Sequence, residues 1–485
     1  MEIKINKDLN DLLDGYAEEM TSTLQELIRF RSVVGDVDES RDRAPYGEEI
    51  QAAFDYVMKL GADRGFECLN LENRAGEMNF GEGEKSVGVI CHLDVVPEGE
   101  GWTYPPYGGV VDNGNIYGRG AVDDKGCFVA SFYACLALKE SGLPLRYRVK
   151  QIVGTNEETG SFPCIQYYKK HTKDMPVRGI VPDSWFPAAF AEKGIVSYDF
   201  TRKCRGAGNG AVDGTELRIT ELSGGEAYNV VAPFASASFT GSPERIAEVR
   251  AAVLSAEAED GERFDGRVEL TEIDGGLRVR TVGKSAHAST PEIGINAISL
   301  LLRILEKISF EPMDLCHTLR VLSEQIGRDS DGRGLGIDCC DHSGPLTNNV
   351  GVLSYKDDVL TVKMNIRCPV TTTIEDLTEK LDRAAGRAGM ENSVVLYNPH
   401  FYMDPEDELI RMLVEVYRTM TGDRTSKPRS HGGGSYARIL KNFVPFGPSI
   451  EGEELSFHKQ DEHISCERLL LLSKIYAQAL YQMAK

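Results

Sequence analysis

The chain is short of positive charge and of long apolar runs. Lysine and arginine number 54 against 75 aspartate and glutamate residues, which gives a formal net charge of −21. This deficit argues against nucleic acid or an anionic membrane as a partner, because both are bound largely through basic side chains. No apolar run approaches the roughly 18 residues of a membrane-spanning helix, so we expect no membrane partner.

Two further absences bear on the compartment. Residues 1–8 lack the basic stretch and the apolar core of a signal peptide, so we expect no secretion signal. The 11 cysteines show no framework spacing, and an odd number cannot pair completely within one chain. Reduced thiols in a cytoplasmic protein are the simplest interpretation.

The 485 residues are too many for one ordinary core, and the first part of the chain reads as a mixture of helices and strands. Helical patterns at 9–31 and 47–64 are followed by an apolar strand at 86–91, and the alternation continues to about residue 195. Strands that alternate with helices predict an α/β domain with a mixed, largely parallel sheet flanked by helices.

The pattern changes after residue 195 and changes back near residue 398. Residues 196–398 carry strands with period-two alternation and helical stretches such as 292–308, which predicts an inserted α+β domain with two strand-rich halves. Residues 399–485 return to the α/β character of residues 1–195, so we expect both terminal parts to build one domain.

Acidic side chains and one histidine stand at the ends of apolar runs in the first domain. His92 and Asp94 follow one strand, Asp123 lies in a glycine-flanked segment, and Glu157 and Glu158 follow a second strand. Ligands of α/β sheets gather at the carboxyl ends of the strands. Clustered carboxylates repel one another unless a cation lies among them. The pattern therefore predicts a divalent-metal site, and one for two metals.

Each of these residues also has an ordinary structural explanation. His92 could cap a strand, Asp123 could lie in a surface turn, and the Glu-Glu pair could form a solvated acidic turn. Asp183 could cap the next segment, and His458, far along the chain, could be a surface histidine. The joint pattern favours the metal site, because every segment ends in a possible ligand.

These segments resemble, over essentially the whole chain, the co-catalytic zinc metallopeptidase family that includes aminoacylases, succinyl-diaminopimelate desuccinylase and carnosinases, and within it the bacterial PepV-type dipeptidases. The resemblance implies two divalent ions, zinc first, although manganese or cobalt also suits the oxygen-rich ligand set. It implies that Asp123 bridges the two metals, that His92 and Asp183 complete one site, and that Glu158 and His458 complete the other.

The resemblance also implies roles for other residues. Glu157 would be the general base, and Asp94 would orient the first metal-binding histidine. In the inserted domain, His287 would stabilise the oxyanion, Asn229 would contribute to the same site, and Arg367 would bind the carboxylate of the substrate. Ordinary alternatives are a capped helix start around His287 and a strand arginine paired with an acidic neighbour at Arg367.

A glycine-rich segment late in the chain resembles the loop that lines the substrate cleft in the family. Its Gly433 and Gly434 would permit close approach of the backbone to the substrate, although a flexible surface loop has the same composition.

The function implied is hydrolysis of the peptide bond of short peptides with free termini, by a metal-bound hydroxide. Deacylation of N-acyl amino acids by the same chemistry is the alternative, and a binding protein without turnover is a third possibility. The roughly 200 residues between the catalytic halves match the enlarged lid of PepV-type enzymes, which implies a monomer whose own chain supplies His287.

Overall fold

The computed structural model describes residues 3–204, 216–261, 264, 267–453 and 456–485. The chain forms two units. Unit 1 comprises Met1–Glu192 and Phe401–Lys485, and unit 2 comprises Lys193–His400. None of the helices in the described part combines the length and the apolar character that crossing a bilayer requires. The eleven cysteines are free thiols.

The described residues contain α-helices and two short 3-10 helices, Pro291–Ile293 and Tyr436–Arg438. The α-helices are α1 (Lys7–Gly15), α2 (Ala17–Ile28), α3 (Glu48–Asp63), α4 (Lys125–Glu140), α5 (Pro163–His171), α6 (Pro243–Asp260), α7 (Ala297–Leu305), α8 (Met313–Ile326), α9 (Ile374–Arg387), α10 (Glu408–Thr421) and α11 (Cys466–Ala484).

The strands are β1 (Glu67–Leu71), β2 (Ala75–Phe80), β3 (Ser86–His92), β4 (Val110–Asp112), β5 (Asn115–Tyr117), β6 (Arg148–Gly154), β7 (Arg178–Val181), β8 (Ser184–Trp185), β9 (Ala189–Glu192), β10 (Gly194–Lys203), β11 (Arg218–Gly224), β12 (Phe234–Thr240), β13 (Val268–Ile273), β14 (Gly276–Val282), β15 (Cys340–Asp341), β16 (Gly344–Pro345), β17 (Thr347–Lys356), β18 (Val359–Cys368), β19 (Glu391–Asn398), β20 (Phe401–Tyr402), β21 (Arg429–His431), β22 (Phe443–Pro445), β23 (Pro448–Ser449) and β24 (His463–Ser465).

A six-stranded mixed sheet forms the centre of unit 1, in the order β1-β2-β6-β3-β7-β22. Strands β6, β3, β7 and β22 are parallel neighbours, and β1 and β2 extend the sheet in antiparallel pairing. All residues of β3 are buried, which suits an unbroken apolar strand in the middle of a covered sheet. Helix α4 is buried over most of its length because β3, β6, α1, α2 and α11 contact it. The predicted α/β fold is confirmed.

The parallel strands bring the candidate site together at one edge of this sheet. His92 is the last residue of β3. Gly154 ends β6 three residues before Glu157, and Val181 ends β7 two residues before Asp183. Because β6, β3 and β7 are adjacent and parallel, their carboxyl ends lie side by side.

Unit 2 is built on one eight-stranded antiparallel sheet, in the order β13-β14-β12-β11-β17-β18-β10-β19. Helix α7 packs against β12, β14 and β17, and α6 and α8 pack against α7. The two predicted strand-rich halves therefore join in a single sheet, because β11 from the first half pairs with β17 from the second.

Two helical predictions differ from the structure in extent. The pattern at 9–31 is two helices, α1 and α2, separated at Tyr16. The stretch 292–308 contains only α7 as α-helix, because the side chain of Asn296 accepts hydrogen bonds from the first turn and fixes its start there. Helix α8 was not predicted.

Candidate active site

His92 lies at the carboxyl end of β3 and is almost completely buried. Its Nδ1 lies 2.9 Å from the backbone carbonyl of Asp94, which can only accept a hydrogen bond, so Nδ1 carries the proton. In neutral His92 the other nitrogen, Nε2, then has no proton, and it lies 3.0 Å from Oδ1 of Asp123. Two acceptors that face each other at this distance require a proton or a cation between them.

Asp123 lies between two imidazoles. Its Oδ1 faces His92, and its Oδ2 lies 3.0 Å from Nε2 of His458. The same nitrogen of His458 lies 3.2 Å from Oε1 of Glu158. The two oxygens of one carboxylate are thus directed to different histidines, which is the arrangement a bridging ligand needs.

Two sets of side chains each offer three ligand atoms within 4.8 Å of one another. The first set is His92, Asp123 and Glu158, and the second is His92, Glu157 and Asp183. Together with the contacts of His458, the structure therefore brings all five predicted ligands and the predicted base together within unit 1.

The contacts of Asp94 differ from the predicted ones. Its carbonyl, not its carboxylate, makes the close contact with Nδ1 of His92, and the nearest carboxylate oxygen is 3.5 Å away. The carboxylate instead accepts the backbone N–H groups of Glu157 at 2.8 and 3.0 Å and of Glu158 at 2.9 Å. Asp94 therefore fixes the backbone from which both glutamate side chains depart.

The glycine-rich loop lies in unit 1, next to the loop that carries Asp183. The hydroxyl of Ser184 lies 2.8 Å from Nε2 of His431, and the N–H of Gly433 donates to Nδ1 of the same ring at 3.1 Å. A side chain at Gly434 would overlap the guanidinium of Arg438. These two hydrogen bonds to His431 hold the start of the loop.

His287 and Asn229 are brought together in unit 2. Val230 and His287 form an antiparallel bridge, and the N–H of Ala288 donates to the carbonyl of Asn229 at 2.9 Å. Both side chains are exposed. The N–H of Ser289 donates to Nδ1 of His287 at 3.2 Å, so the neutral ring carries its proton on Nε2.

Arg367 is buried near the end of β18 in unit 2. Its Nε donates to Oδ1 of Asn365 at 2.9 Å, and the amide of Asn365 donates to the hydroxyl of Ser197 at 3.0 Å. The partner of Nε in Arg367 is therefore an amide oxygen.

Comparison with known proteins assigns the family. Residues 88–482 match the model of Peptidase family M20/M25/M40. The chain belongs to this family. It is 35% identical to "Putative dipeptidase YtjP" of Bacillus subtilis (strain 168) over 474 residues, which cover 96% of this chain and 98% of that protein. It is 31% identical to "Putative dipeptidase MW1694" of Staphylococcus aureus (strain MW2) over 475 residues, which cover 96% and 97% of the two chains.

Solved structures share the fold at low sequence identity. Human carnosine dipeptidase 1 matches with a TM-score of 0.58 and 15% identity, over 100% of this chain and 99% of that one. The dipeptidase Dug1p of Saccharomyces cerevisiae matches with a TM-score of 0.57 and 15% identity, over 98% of both chains. This M20 peptidase is therefore a hydrolase with the fold of these structures.

The cluster in this M20 peptidase has the chemistry of a metal site. Burial raises the pKa of Glu157, Glu158 and Asp183, and the charge of Asp123 raises all three further. Such carboxylates stay ionised together only when positive charge lies among them. Imidazole and carboxylate donors are those that divalent transition metals accept, so the residues present fit a metal ion.

Sequence reasoning missed several residues around this site. Asp124 is buried, and its Oδ2 accepts the backbone N–H of His92 at 3.0 Å. Burial raises the pKa of Asp124 to about 8. The ring of Tyr436 lies 6.3 Å from the ring of His92, edge to face. The sequence shows the adjacent pair Asp123 and Asp124. The backbone geometry decides which of the two carboxylates faces the candidate metal ligands.

Proposed function

We propose that the protein is a metal-dependent dipeptidase that hydrolyses the peptide bond of short peptides with a free N-terminus and a C-terminal carboxylate. The observation that carries this proposal is the gathering of five metal-ligating side chains and one further carboxylate, Glu157, in a chain of a peptidase family. We further propose that unit 1 is the catalytic domain, that unit 2 is an inserted lid domain, and that the enzyme is a monomer.

The ligand sets suggest two metal ions. His92 and Asp183 would hold one, Glu158 and His458 would hold the other, and Asp123 would contact both. Zinc is the ion we propose, and manganese or cobalt would suit the same donors. When bound, such ions polarise the scissile carbonyl and make a water molecule more acidic.

Glu157 is the residue we propose as general base. Its carboxylate belongs to the same set as His92 and Asp183, and Asp94 holds its backbone N–H. From this position it takes the proton of the attacking water and transfers it to the amine that leaves, so one carboxyl serves both steps.

Unit 2 would supply groups that recognise the rest of the substrate. We propose that Nε2–H of His287 donates to the developing oxyanion and that Asn229, which lies beside His287, contributes to the same subsite. Arg367, oriented by Asn365, would bind the C-terminal carboxylate, for which a planar guanidinium is suited. Gly433 and Gly434 would line the cleft beside Asp183.

A substrate panel on chelated and reconstituted protein tests this function. Protein dialysed against a chelator should lose activity and regain it with zinc, manganese or cobalt added singly. Reconstituted protein should hydrolyse Leu-Leu much faster than its C-terminal amide and faster than N-acetyl-leucine. Faster turnover of N-acetyl-leucine would instead assign the protein as a deacylase, and hydrolysis of Leu-Leu that survives complete metal removal would refute the proposal.

A further inference from the structure

One buried ion pair joins the two loops that carry Asp123 and His458. Arg119 and Glu462 are almost completely buried, and Nη1 of Arg119 lies 2.7 Å from Oε2 of Glu462. The residues are 343 positions apart in sequence. Each lies four positions from a candidate ligand in its own loop, since Arg119 precedes Asp123 and Glu462 follows His458 by that number.

Glu462 holds the backbone of the Asp123 loop. Its Oε1 accepts the N–H groups of Val122 at 3.0 Å and of Asp123 at 3.1 Å. Its own carbonyl accepts the N–H of Gly118 at 2.8 Å. Directly after Glu462, β24 pairs with β5, so the two loops leave from adjacent strands.

Arg119 holds the His458 loop and a third loop with the same guanidinium. Nη1 donates to the carbonyl of Lys459 at 3.2 Å, and Nη2 donates to the carbonyls of Pro97 at 3.4 Å and Glu98 at 3.3 Å. Lys459 is the residue after His458. The guanidinium thus fixes the backbone next to one candidate ligand while its partner Glu462 fixes the backbone of another.

We propose that Arg119 and Glu462 are positioning residues that set the separation of Asp123 and His458 and thereby the affinity of the metal centre. The proposal rests on the proposed function only in that the cluster binds divalent metal. Their hydrogen bonds go to backbone and to each other, so they act through the ligands. Groups of this kind typically change metal affinity or activity by about 10- to 100-fold when altered.

Glu462→Gln is the informative substitution because the amide cannot replace the carboxylate. One glutamate oxygen accepts two backbone N–H groups, and the other accepts the guanidinium. In either orientation the glutamine NH₂ would face another donor, either the backbone of Asp123 or Arg119. The side chain keeps its shape, but it can no longer accept hydrogen bonds both from the backbone of the Asp123 loop and from Arg119.

A second buried ion pair in unit 1 provides the matched control. Lys150 and Glu77 are as deeply buried, and Nζ of Lys150 lies 3.0 Å from Oε2 of Glu77. Glu77 lies on β2 and also accepts the hydroxyl groups of Tyr168 at 2.7 Å and Thr172 at 3.0 Å. Glu77→Gln therefore lowers stability by breaking a comparable pair without touching the loops of Asp123 and His458.

The experiment measures binding of Co²⁺ to the apoprotein by its visible absorption and by competition with a chelator. We expect Glu462→Gln to weaken Co²⁺ binding at least tenfold and to alter the absorption bands. We expect Glu77→Gln to lower the melting temperature while binding Co²⁺ within about twofold of the wild type. Wild-type affinity and spectrum in Glu462→Gln, or equal weakening in Glu77→Gln, would overturn the proposal.

Arg119→Lys extends the test if Glu462→Gln does not fold. It keeps a positive charge for Glu462, but one ammonium group cannot reach Lys459, Pro97 and Glu98 together, so weaker Co²⁺ binding is again expected. Unchanged binding in this variant would count against the proposal. Failure of the proposed metal site gives a different result, because the wild-type apoprotein itself would then bind no Co²⁺, whereas a different substrate would leave Co²⁺ binding unchanged.

Discussion

Asp94 fixes the backbone of the two adjacent glutamates, Glu157 and Glu158, and so limits the directions of their side chains. The carboxylate of Asp94 accepts the N–H groups of Glu157 and Glu158, so both backbones are fixed from the same side chain. Adjacent side chains on such a backbone leave in different directions. Glu158 lies beside Asp123 and His458, whereas Glu157 shares a set with His92 and Asp183. The proposed division of roles, with Glu158 as metal ligand and Glu157 as general base, is consistent with this geometry.

Replacing Glu157 by glutamine tests that division. The isosteric amide keeps the backbone bond to Asp94 but cannot accept a proton, so hydrolysis of a dipeptide should fall by about 10²- to 10⁴-fold. Metal content, measured after gel filtration in buffered zinc, should stay at the wild-type level. The matched variant Glu158→Gln should lose metal instead. Wild-type turnover in Glu157→Gln would refute the assigned base.

Three candidate ligands, His92, Glu158 and Asp183, could be predicted from the sequence because each ends or follows an apolar strand and these strands end at the same edge of the sheet. His92 and Asp183 are of this kind, since β3 and β7 deliver them side by side. The contacts of Asp94 and Glu462 could not be predicted in this way. Both carboxylates accept backbone N–H groups, which nearly every residue carries and which no sequence pattern distinguishes.

At the scale of secondary structure, a shift in the register of β17 lies next to the turn that carries Asn229. The register of β17 against β18 shifts around Gly351, where a side chain would overlap the turn. The amide of Asn349 donates to the carbonyls of Tyr228 at 2.8 Å and Val230 at 2.9 Å. Since Val230 bridges to His287, Asn349 holds both proposed substrate contacts.

Asn349→Ala should therefore impair catalysis without affecting metal. Two hydrogen bonds of about 1 kcal/mol each are lost, so we expect kcat to fall about tenfold. This is less than the roughly 10²- to 10³-fold expected for His287→Ala, which removes an oxyanion donor. Steady-state kinetics and metal analysis would measure both.

The neighbouring residue provides the control for Asn349→Ala. Asn348 is equally buried, but its Oδ1 accepts the hydroxyl of Tyr198 at 2.9 Å, on β10 and away from the turn at Asn229 in sequence. Asn348→Ala should lower stability and leave kcat close to the wild-type value. Equal losses of kcat in Asn348→Ala and Asn349→Ala would mean that the effect is general destabilisation of unit 2.

A carboxylate pair after α8 should make stability depend on pH. Burial, and then the hydrogen bond and charge of Asp331, raise the pKa of Asp329 to about 6. Because this exceeds the unfolded value of about 3.9, the folded state binds the proton more tightly, and stability falls as pH rises from about 4 to about 6. At neutral pH the ionised pair is destabilising.

Asp329→Asn should raise the melting temperature at pH 7.5. Allowing for solvent screening, the gain is at most about 1 kcal/mol, or about 2–4 °C, and it should vanish near pH 4. Asp331→Asn is the control, because Asp331 accepts the N–H and the guanidinium of Arg333 at 3.0 and 2.9 Å, and it should not stabilise. Thermal melts from pH 4 to pH 7.5 would decide, and a lower melting temperature for Asp329→Asn at pH 7.5 would contradict this argument.

Most elements could be predicted where the hydrophobic pattern was long and regular. The residues of β3 match the predicted apolar strand at 86–91, and α3 matches the helical pattern at 47–64. The break at Tyr16 and the late start of α7 could not be predicted, because they depend on the backbone conformation of Tyr16 and on one side-chain cap at Asn296. Such local details do not alter the apolar periodicity.

At the scale of the whole molecule, the chain leaves unit 1 after Glu192 and returns to it at Phe401. The candidate metal ligands lie in both parts of unit 1, since His458 follows the insertion and the other four precede it. Unit 1 therefore cannot assemble the cluster until the chain beyond unit 2 has been made. The proposed base and the candidate ligands belong to unit 1, whereas the proposed oxyanion donor, His287, belongs to unit 2.

This separation allows a test of whether one chain supplies all groups. Glu157→Gln and His287→Ala should each be nearly inactive, for different reasons. In a monomer that uses its own His287, an equimolar mixture stays inactive, because no molecule carries both intact groups. In a dimer that exchanges this histidine, mixed dimers contain one intact site, and activity returns. We expect no recovery after co-incubation or co-refolding, together with a monomer in sedimentation and a specific activity that is constant on dilution. Recovered activity in the mixture would show instead that a second subunit donates His287.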